Sequence, residues 1–230
     1  ARVAVRRLRS ALSLFKPILL ETDIQRFRDE LRWLAGMLGQ ARDLDVLMGR
    51  IEDESVLASL ADVQKIVHER VGEWLHSARV RTLLLDLVEW LALGAGCGGE
   101  ADALAADFAA GRLKRLRRRV AKGGRHIQKL PDEERHQVRK DAKKLRYGTE
   151  FFGDLFPKSR QRRRRQDFVD ALEDLQATLG DLNDLATAPA LLAQYGLEPD
   201  TSLKLRRRKK LLDRAAQAHA ELTEARKFWM

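Results

Sequence analysis

The sequence predicts an all-α protein made of two helical bundles of about four helices each. Long segments place apolar residues three or four positions apart, and none alternates apolar and polar residues as a half-buried strand does. Breaks that contain Gly or Pro separate these segments. Similar motifs also occur twice along the 230 residues, which indicates an internal duplication and two halves related by a pseudo-two-fold axis.

Four helices are predicted before the Gly-rich segment 94–99. The first has an apolar stripe formed by Val5, Leu8, Leu12 and Phe15. The others keep apolar residues at helical spacing, and the leucine-rich fourth helix is expected to be well buried. The predicted ranges are about 1–20, 22–51, 55–77 and 79–93.

Four further helices are predicted after that segment. Gly123-Gly124 ends the first of them, Pro157 closes the second, which is the central basic helix, and Pro189 breaks the third. Pro131 fits the first turn of the central helix, where a missing amide proton does no harm. The predicted ranges are about 101–122, 131–156, 162–187 and 201–230.

Two pairs of segments carry the evidence for the duplication. Residues 2–9 read like residues 139–146, at an offset of 137 positions. Residues 31–44 share their Leu, Gly and Asp positions with residues 172–185, at an offset of 141. The two offsets differ by about one helical turn. Each half therefore opens with a related basic helix.

The repeat also sets the expected boundaries. The chain is predicted to be a single domain, 1–230, whose halves cover approximately 1–125 and 126–230. The Gly-rich segment 94–99 is the competing boundary. Ala1 already lies inside a helical pattern, so we expect the chain to be a piece of a longer protein.

Segment 136–147 is the central motif of the chain. On a helical wheel one face is apolar and consists of Val138, Ala142, Leu145, Thr149 and Phe152. The opposite face holds His136, Arg139, Lys140, Lys143 and Tyr147. Basic faces are often merely solvated, but surface helices usually mix charges of both signs. This one has only Asp141 nearby, and its pattern occurs twice.

Composition points to an anionic partner. Lys and Arg number 44 against 34 Asp and Glu, a net charge of +10, which suits nucleic acid, an acidic membrane surface or a phosphate polymer. The single cysteine, Cys97, excludes an internal disulfide and a four-cysteine zinc site, and it fits a cytoplasmic location. The longest apolar stretch, 83–97, contains Asp86 and Glu89 and is too short to cross a membrane.

Groups for catalysis are scarce. The sequence has no Gly-rich phosphate loop, no His-Glu-x-x-His motif and no Gly-x-Ser-x-Gly motif. His68 and His76 are too far apart on one helix to share a metal ion without a third ligand. Asp43 and Asp45 project in different directions and are expected to pair with basic side chains. We therefore predict no catalytic residue, no metal ion and no cofactor.

These motifs resemble the CHAD domain, the conserved-histidine α-helical domain. The resemblance covers residues 1–230 and includes Phe228-Trp229, a terminal pair typical of the family. The second copy contributes His136, Arg139, Lys143-Lys144-Leu145-Arg146-Tyr147 and Phe151-Phe152. The first copy contributes segments 5–12, 38–39 and 41–47.

The resemblance implies a basic channel between the two halves that binds inorganic polyphosphate without catalysis. It also implies association with a CYTH-type triphosphatase domain, whose catalytic motif this chain lacks, and a place on polyphosphate granules in the cytoplasm. The first-copy histidine would precede Ala1. The residues that match the family's channel lining are Arg2, Arg6, Arg7, Arg9, His136, Arg139, Lys140, Lys143, Lys144 and Arg146.

The spacing of these cations suits a phosphate chain by itself. Residues at i, i+3 or i+4, and i+7 place a cation about every 5 Å along a helix, roughly the length of two phosphates. Arginine forms forked contacts with phosphate oxygens, and lysine supplies a mobile charge. This spacing occurs in Arg2, Arg6 and Arg9 and again in Arg139, Lys143 and Arg146.

Two other functions are open on the sequence. RNA or DNA binding is favoured by the arginine-rich segments 112–122, 162–165 and 206–210, although few aromatic residues are expected to be exposed for base stacking. A histidine-based metal-binding domain or phosphohydrolase accessory domain is the third alternative. No membrane partner is expected.

Overall fold

The computed structural model describes residues 1–49, 51, 53–93, 104–194 and 204–230. Over these residues the chain forms eight α-helices and no strand, so the predicted all-α class is confirmed. Within the same ranges, no helix combines the length and the apolar character that a membrane crossing requires. The helices are α1 (Arg2–Phe15), α2 (Glu21–Met48), α3 (Glu54–His76), α4 (Ala78–Ala92), α5 (Ala105–Gly123), α6 (Asp132–Phe152), α7 (Ser159–Gln194) and α8 (Lys204–Glu224).

The chain divides into two compact units, Ala1–Asp102 and Ala103–Met230, here called unit 1 and unit 2. Helix α5 precedes the predicted repeat boundary near residue 125, yet it packs on α6 in unit 2. Its apolar stripe explains this, because Ala109, Leu113, Leu116 and Val120 are buried in that bundle. The compact units and the repeat halves are therefore different divisions of the chain. The pseudo-two-fold relation and the channel between the halves stay predictions.

In unit 1, helix α2 packs against α1, α3 and α4. Its long apolar stripe supplies half of the core, and the first turns of α3 and α4 are capped by side chains. Asp53 Oδ1 accepts a hydrogen bond from the Ser55 amide at 2.9 Å, and Ser77 Oγ accepts one from the Val80 amide at 3.3 Å. The buried core consists of Val5, Leu12, Ile24, Phe27, Leu31, Leu34, Leu38, Val80, Leu83 and Leu87.

Unit 2 is a four-helix bundle. Helix α6 packs against both α5 and α7, α7 packs against α8, and α8 closes the bundle by contacting α5. Because α5 and α7 both cover α6, only part of the circumference of α6 faces solvent. The matching leucines of the repeat, Leu172, Leu175 and Leu179, are buried like Leu31, Leu34 and Leu38 of α2.

An aromatic cluster holds the C-terminal segment against unit 2. The Phe228 ring lies 5.6 Å from Phe156 and 6.0 Å from Phe168, and the Trp229 ring lies 5.4 Å from Phe168, all edge to face. Arg117 of α5 donates hydrogen bonds to the carbonyl oxygens of Thr223 and Ala225, which lie at the C-terminal end of α8. Burial at this position lowers the pKa of Arg117.

Several predicted helix ends were wrong, including those of α1 and α8, which end at Phe15 and Glu224 and not near residues 20 and 230. Helix α7 runs through Pro189 to Gln194, because a proline removes only one amide donor and the backbone stays helical on both sides. Helix α6 ends at Phe152, before Pro157, and a 3₁₀ turn at Gly153–Leu155 follows it. The predicted break at 94–99 and the predicted helix start near Thr201 lie outside the described residues.

The first copy ends its basic helix in the same way. Helix α1 ends at Phe15 and is followed by a 3₁₀ turn at Lys16–Ile18. Phe15 and Phe152, like the two turns, stand 137 positions apart, which is the offset of the basic motif. This agreement of local structure supports the hypothesis of a duplication.

Candidate functional site

The apolar face of α6 is buried as predicted. Val138, Ala142 and Leu145 are at most 3% exposed, and Thr149 and Phe152 are also buried. Tyr147 was predicted on the opposite, basic face and is instead 3% exposed, with its ring 6.4 Å from that of Phe151. The cause is the pair of helices that covers α6, since two neighbours bury a wider arc than one stripe.

A buried arginine, which the sequence reasoning missed, fixes the start of α6. Arg135 is 5% exposed and donates hydrogen bonds to the carbonyl oxygens of Leu130 and Ile127 and to Asp132. Its position continues the spacing of Val138, Ala142 and Leu145 backward by three residues, and that spacing was the available signal. The side chain ties the preceding loop to the helix that carries the basic face.

Asp132 completes this anchor. It accepts hydrogen bonds from Arg135 at 2.5 Å and from Arg208 of α8 at 2.7 Å. Desolvation acts to raise the pKa of Asp132, but the hydrogen bonds and charges of Arg135 and Arg208 outweigh it and lower that pKa. The N-terminal end of α6 is thereby fixed to α8.

His136 links α6 to α7. Its Nδ1 atom lies 2.5 Å from Oδ1 of Asn183, and both side chains are half-buried. A neutral imidazole that donates from Nδ1 keeps Nε2 as an acceptor. The predicted site histidine is thus held in one orientation at the edge of the basic face.

The remaining α6 cations differ in exposure. Lys140 is exposed, whereas Arg139, Lys143, Lys144 and Arg146 are half-buried. Arg146 forms an ion pair with Glu150 at 2.5 Å and lies over the Tyr147 ring at 5.0 Å. A ligand of this face would have to compete with Glu150 for Arg146.

In unit 1 the basic stripe of α1 lies along α2. Burial and the like charges of Arg6 and Arg42 lower the pKa of Arg2, against the raising influence of Asp43 and Asp45. Burial and the charge of Arg32 lower the pKa of Arg9 in the same way. The structure therefore brings Arg2, Arg6 and Arg9 together with two arginines of α2, at positions 32 and 42. Arg7 is exposed.

Arg42 was not among the predicted site residues, because the repeat places Asn183 at its counterpart. Its influence on Arg2 follows from the packing of α1 on α2, a long-range contact that local sequence does not encode. The same packing puts the acidic Asp43 and Asp45 within electrostatic range of the stripe.

Asp45 is held by α3. Its Oδ1 atom accepts a hydrogen bond from Gln64 at 2.9 Å and lies 3.0 Å from Nε2 of His68. Desolvation acts to raise the pKa of Asp45, but the hydrogen bonds of His68 and Gln64 outweigh it and lower that pKa. The carboxylate thus stays charged beside the cationic stripe, where it opposes an incoming anion.

The chemistry of both faces is that of an anion receptor. Guanidinium and ammonium groups dominate. The acids near them are Asp29, which forms an ion pair with Arg32 at 2.5 Å, and Asp43 and Asp45 in unit 1, and Asp141 and Glu150 in unit 2. Within the described ranges, no group of three or more His, Cys, Asp or Glu side chains is arranged to hold a metal ion.

Comparisons with known proteins agree on one family. Residues 1–193 match the model of the CHAD domain. The crystal structure of the CHAD domain from the plant Ricinus communis is similar, with a TM-score of 0.74, 31% sequence identity, and coverage of 98% of this chain and 80% of the plant chain.

PptA from Streptomyces chartreusis shares the fold, with a TM-score of 0.63 at 18% identity over 97% of this chain and 84% of its own. No curated protein matches the chain.

Proposed function

This chain belongs to the CHAD domain family, and from that premise we propose that it binds inorganic polyphosphate through the basic faces of α1 and α6. The binding is non-catalytic. The observation that carries the proposal is the stripe of Arg2, Arg6 and Arg9 beside Arg32 and Arg42.

Crowded, partly desolvated arginines are unfavourable in the free protein. Loss of water on burial raises the free energy of the Arg2 and Arg9 guanidinium groups, and the like charges of neighbouring arginines add to this, which is why the pKa values of Arg2 and Arg9 are lowered. An anion with many negative charges relieves both effects at once. Perturbed groups of this kind concentrate at binding sites more than on ordinary surfaces.

A linear polyphosphate fits the geometry of these faces. The cations of α1 recur at i, i+4 and i+7, so they rise along the helix about 5 Å at a time. On α6 the positions 139, 143 and 146 have the same spacing. A flexible chain of phosphates can place an oxygen at each cation in turn, and the arginines can receive it with two donors.

Four of the described aromatic side chains that could stack on bases are otherwise engaged. The Trp33 ring stacks with Arg79 at 3.8 Å, the Trp90 ring lies 5.2 Å from Phe27, and Tyr147 and Trp229 are buried. Sequence-independent binding of single strands relies on exposed aromatic platforms. These contacts support a ligand without bases, and RNA is the alternative that the test below addresses.

The proposed role is targeting. A module that holds polyphosphate without cleaving it can place a partner, such as a CYTH-type triphosphatase domain, on the polymer. The location proposed for this targeting role is the polyphosphate granule in the cytoplasm. The family assignment and the arginine chemistry support this proposal.

The proposed function is tested by titrating the full chain with polyphosphate and with RNA of matched charge at two salt concentrations. We expect tighter binding of polyphosphate, with affinity that falls steeply as salt rises because counterions are released. Polyphosphate should displace bound RNA, and RNA should not displace polyphosphate. If RNA of equal charge binds equally well, the assignment to polyphosphate is wrong.

A further inference from the structure

We propose that unit 2 has a second anion-binding site, a cleft between the end of α6 and the start of α7 that takes a short oligophosphate such as pyrophosphate. The cleft has a volume of about 340 Å³. It is lined by Gly153, Asp154, Phe156, Pro157, Arg162 and Arg165. None of the residues proposed above for polyphosphate takes part in it.

The two arginines of the cleft are each held by one protein acceptor. Arg162 donates its Nε proton to the Pro157 carbonyl oxygen at 2.8 Å, and Arg165 donates from Nη1 to Asp154 Oδ1 at 3.3 Å. A guanidinium has five N–H donors in a rigid fork. The described contacts therefore fix both side chains at the cleft and leave most of their donors for a ligand.

Asp154 is a weak competitor for that ligand. Its side chain is fully exposed, and 3.3 Å is long for a charge-assisted hydrogen bond. A phosphate group carries more charge and more acceptor oxygens than a carboxylate, and it can meet both arginines. We expect it to displace Asp154 from Arg165.

Gly153 keeps room for Arg165. A Cβ atom at position 153 would come within 2.0 Å of Arg165 Nη1, so any larger residue would push the guanidinium aside. The backbone does not itself need glycine, because its φ of −59° suits any residue and the first copy has Lys16 at this position. The guanidinium is packed against the turn that forms one wall of the cleft.

A buried aromatic side chain forms the apolar floor of the cleft. Phe156 is 6% exposed, and its ring packs edge to face with Phe228 in the aromatic cluster. A low-dielectric floor strengthens the attraction between the guanidinium groups and an anion above it.

The volume of the cleft and the charge around it limit which anions are expected to bind. A volume of 340 Å³ corresponds to roughly eleven water molecules at their share of the liquid, more than a single orthophosphate fills. Arginines also occupy positions 160, 163 and 164, and the first turn of α7 has no acidic residue. A multiply charged ion with two or three linked phosphates matches both the space and the charge.

The cleft shares no lining residue with the basic face of α6. Gly153 lies about 25 Å along the helix axis from His136 and about 10 Å from Arg146, the last cation of that face. The inference therefore does not depend on the proposed function, and variants of one site leave the residues of the other in place.

The test is isothermal titration of the full chain with sodium pyrophosphate at low salt. We expect Arg162→Gln with Arg165→Gln to weaken binding about tenfold or more, since each arginine provides charge-assisted contacts. The matched control is Arg160→Gln with Arg163→Gln, which removes the same charge from exposed positions of the same helix outside the cleft lining. We expect the control to bind within about twofold of the unmodified chain.

Two further variants extend the test, one without a change in net charge and one that removes a single negative charge. Gly153→Ala leaves the charge unchanged and should weaken pyrophosphate binding by displacing Arg165. Asp154→Asn removes the competing carboxylate and should tighten binding by about threefold. Circular dichroism checks that each variant keeps its helicity.

Three results would overturn the site. These are no measurable pyrophosphate binding by the unmodified chain, an equal loss in the control pair, or a loss caused only by substitutions on the α1 and α6 faces. If the protein does not bind polyphosphate but its binding of pyrophosphate depends on Arg162 and Arg165, the proposed function is wrong. The cleft would then still be supported as an anion-binding site.

Discussion

The Nδ1 atom of His136 lies 2.5 Å from the Oδ1 atom of Asn183 and ties the first turns of α6 to the C-terminal half of α7. The hydrogen bond orients the ring of the predicted site histidine. In the first copy, Arg42 takes the place of Asn183 and lies near Arg2. The corresponding helix pairs, α1 with α2 in the first copy and α6 with α7 in the second, thus carry different side chains at this position.

We predict that Asn183→Ala lowers the free energy of unfolding by about 1 kcal/mol, because a half-buried imidazole loses its partner. Urea denaturation measures this. The control is Thr187→Ala, which removes an exposed hydroxyl one turn farther along α7. If the two variants lose equal stability, the bond to His136 contributes nothing specific.

Acid should weaken the anchor at the start of α6. The pKa of Asp132 is lowered in the folded protein, so its ion pairs stabilise the fold above the ordinary carboxyl pKa and lose that effect as pH falls through the lower value. The stability difference between the protein and Asp132→Asn should therefore be constant near neutral pH and shrink below about pH 4.

Thermal unfolding at a series of pH values provides the measurement for Asp132. Asp167→Asn, at an exposed position of α7, is the control with the same change in charge. A stability difference for Asp132→Asn that is independent of pH down to about pH 2 would contradict the proposed ion pairs.

The aromatic cluster should dominate the stability of unit 2. Phe228 is 0% exposed, and Phe228→Ala removes a ring that touches Phe156, Phe168 and Trp229. We expect a loss of about 3–5 kcal/mol in the free energy of unfolding, typical of a fully buried phenylalanine. Met230→Ala, two residues away and 76% exposed, should change it by less than about 0.5 kcal/mol. Similar losses in both variants would show that the C-terminal segment is not docked.

Local periodicity was enough to predict the buried face of α6. Val138, Ala142 and Leu145 recur at helical spacing, and such a stripe is buried whichever neighbour covers it. The existence of the helices followed from the same signal. The end of α7 was misplaced because Pro189 is a strong local breaker, while the helix is held by tertiary packing along its length.

Features that depend on contacts between elements distant in the sequence could not be predicted from local periodicity. Tyr147 is buried because α6 is covered by two helices, and Arg135 is buried because the loop before α6 supplies carbonyl acceptors. The influence of Arg42 on Arg2 and the contact of His136 with Asn183 join residues 40 or more positions apart. The contact partners of these side chains can be identified only when the packing of the helix pairs is known.

An acid beside the α1 stripe should limit its affinity for anions. Asp45→Asn removes a negative charge that acts on Arg2, so polyphosphate should bind about two- to fivefold more tightly, the range of one partly exposed charge pair. Titration at constant salt measures this. Asp62→Asn, at an exposed position of α3, is the matched control and should have a smaller effect. Weaker binding by Asp45→Asn would mean that Asp45 positions the arginines.

Removing one cation from each basic face should show whether polyphosphate binding depends on these faces or only on the net charge of the protein. Arg6→Ala with Lys143→Ala is expected to weaken polyphosphate binding by more than about tenfold, because the proposal gives each side chain a charge-assisted contact to phosphate. Both side chains are half-buried on the stripes of α1 and α6. The slope of affinity against salt should also become shallower, since fewer counterions are released.

The control for that pair is Arg70→Ala with Lys114→Ala, which also removes one arginine from unit 1 and one lysine from unit 2. Both control residues are exposed and lie on α3 and α5 and not on the helices that carry the proposed stripes. Circular dichroism should show unchanged helicity in both pairs. If the control loses as much affinity as Arg6→Ala with Lys143→Ala, polyphosphate is attracted by net charge alone, and the assignment of the two faces fails even though the polymer binds.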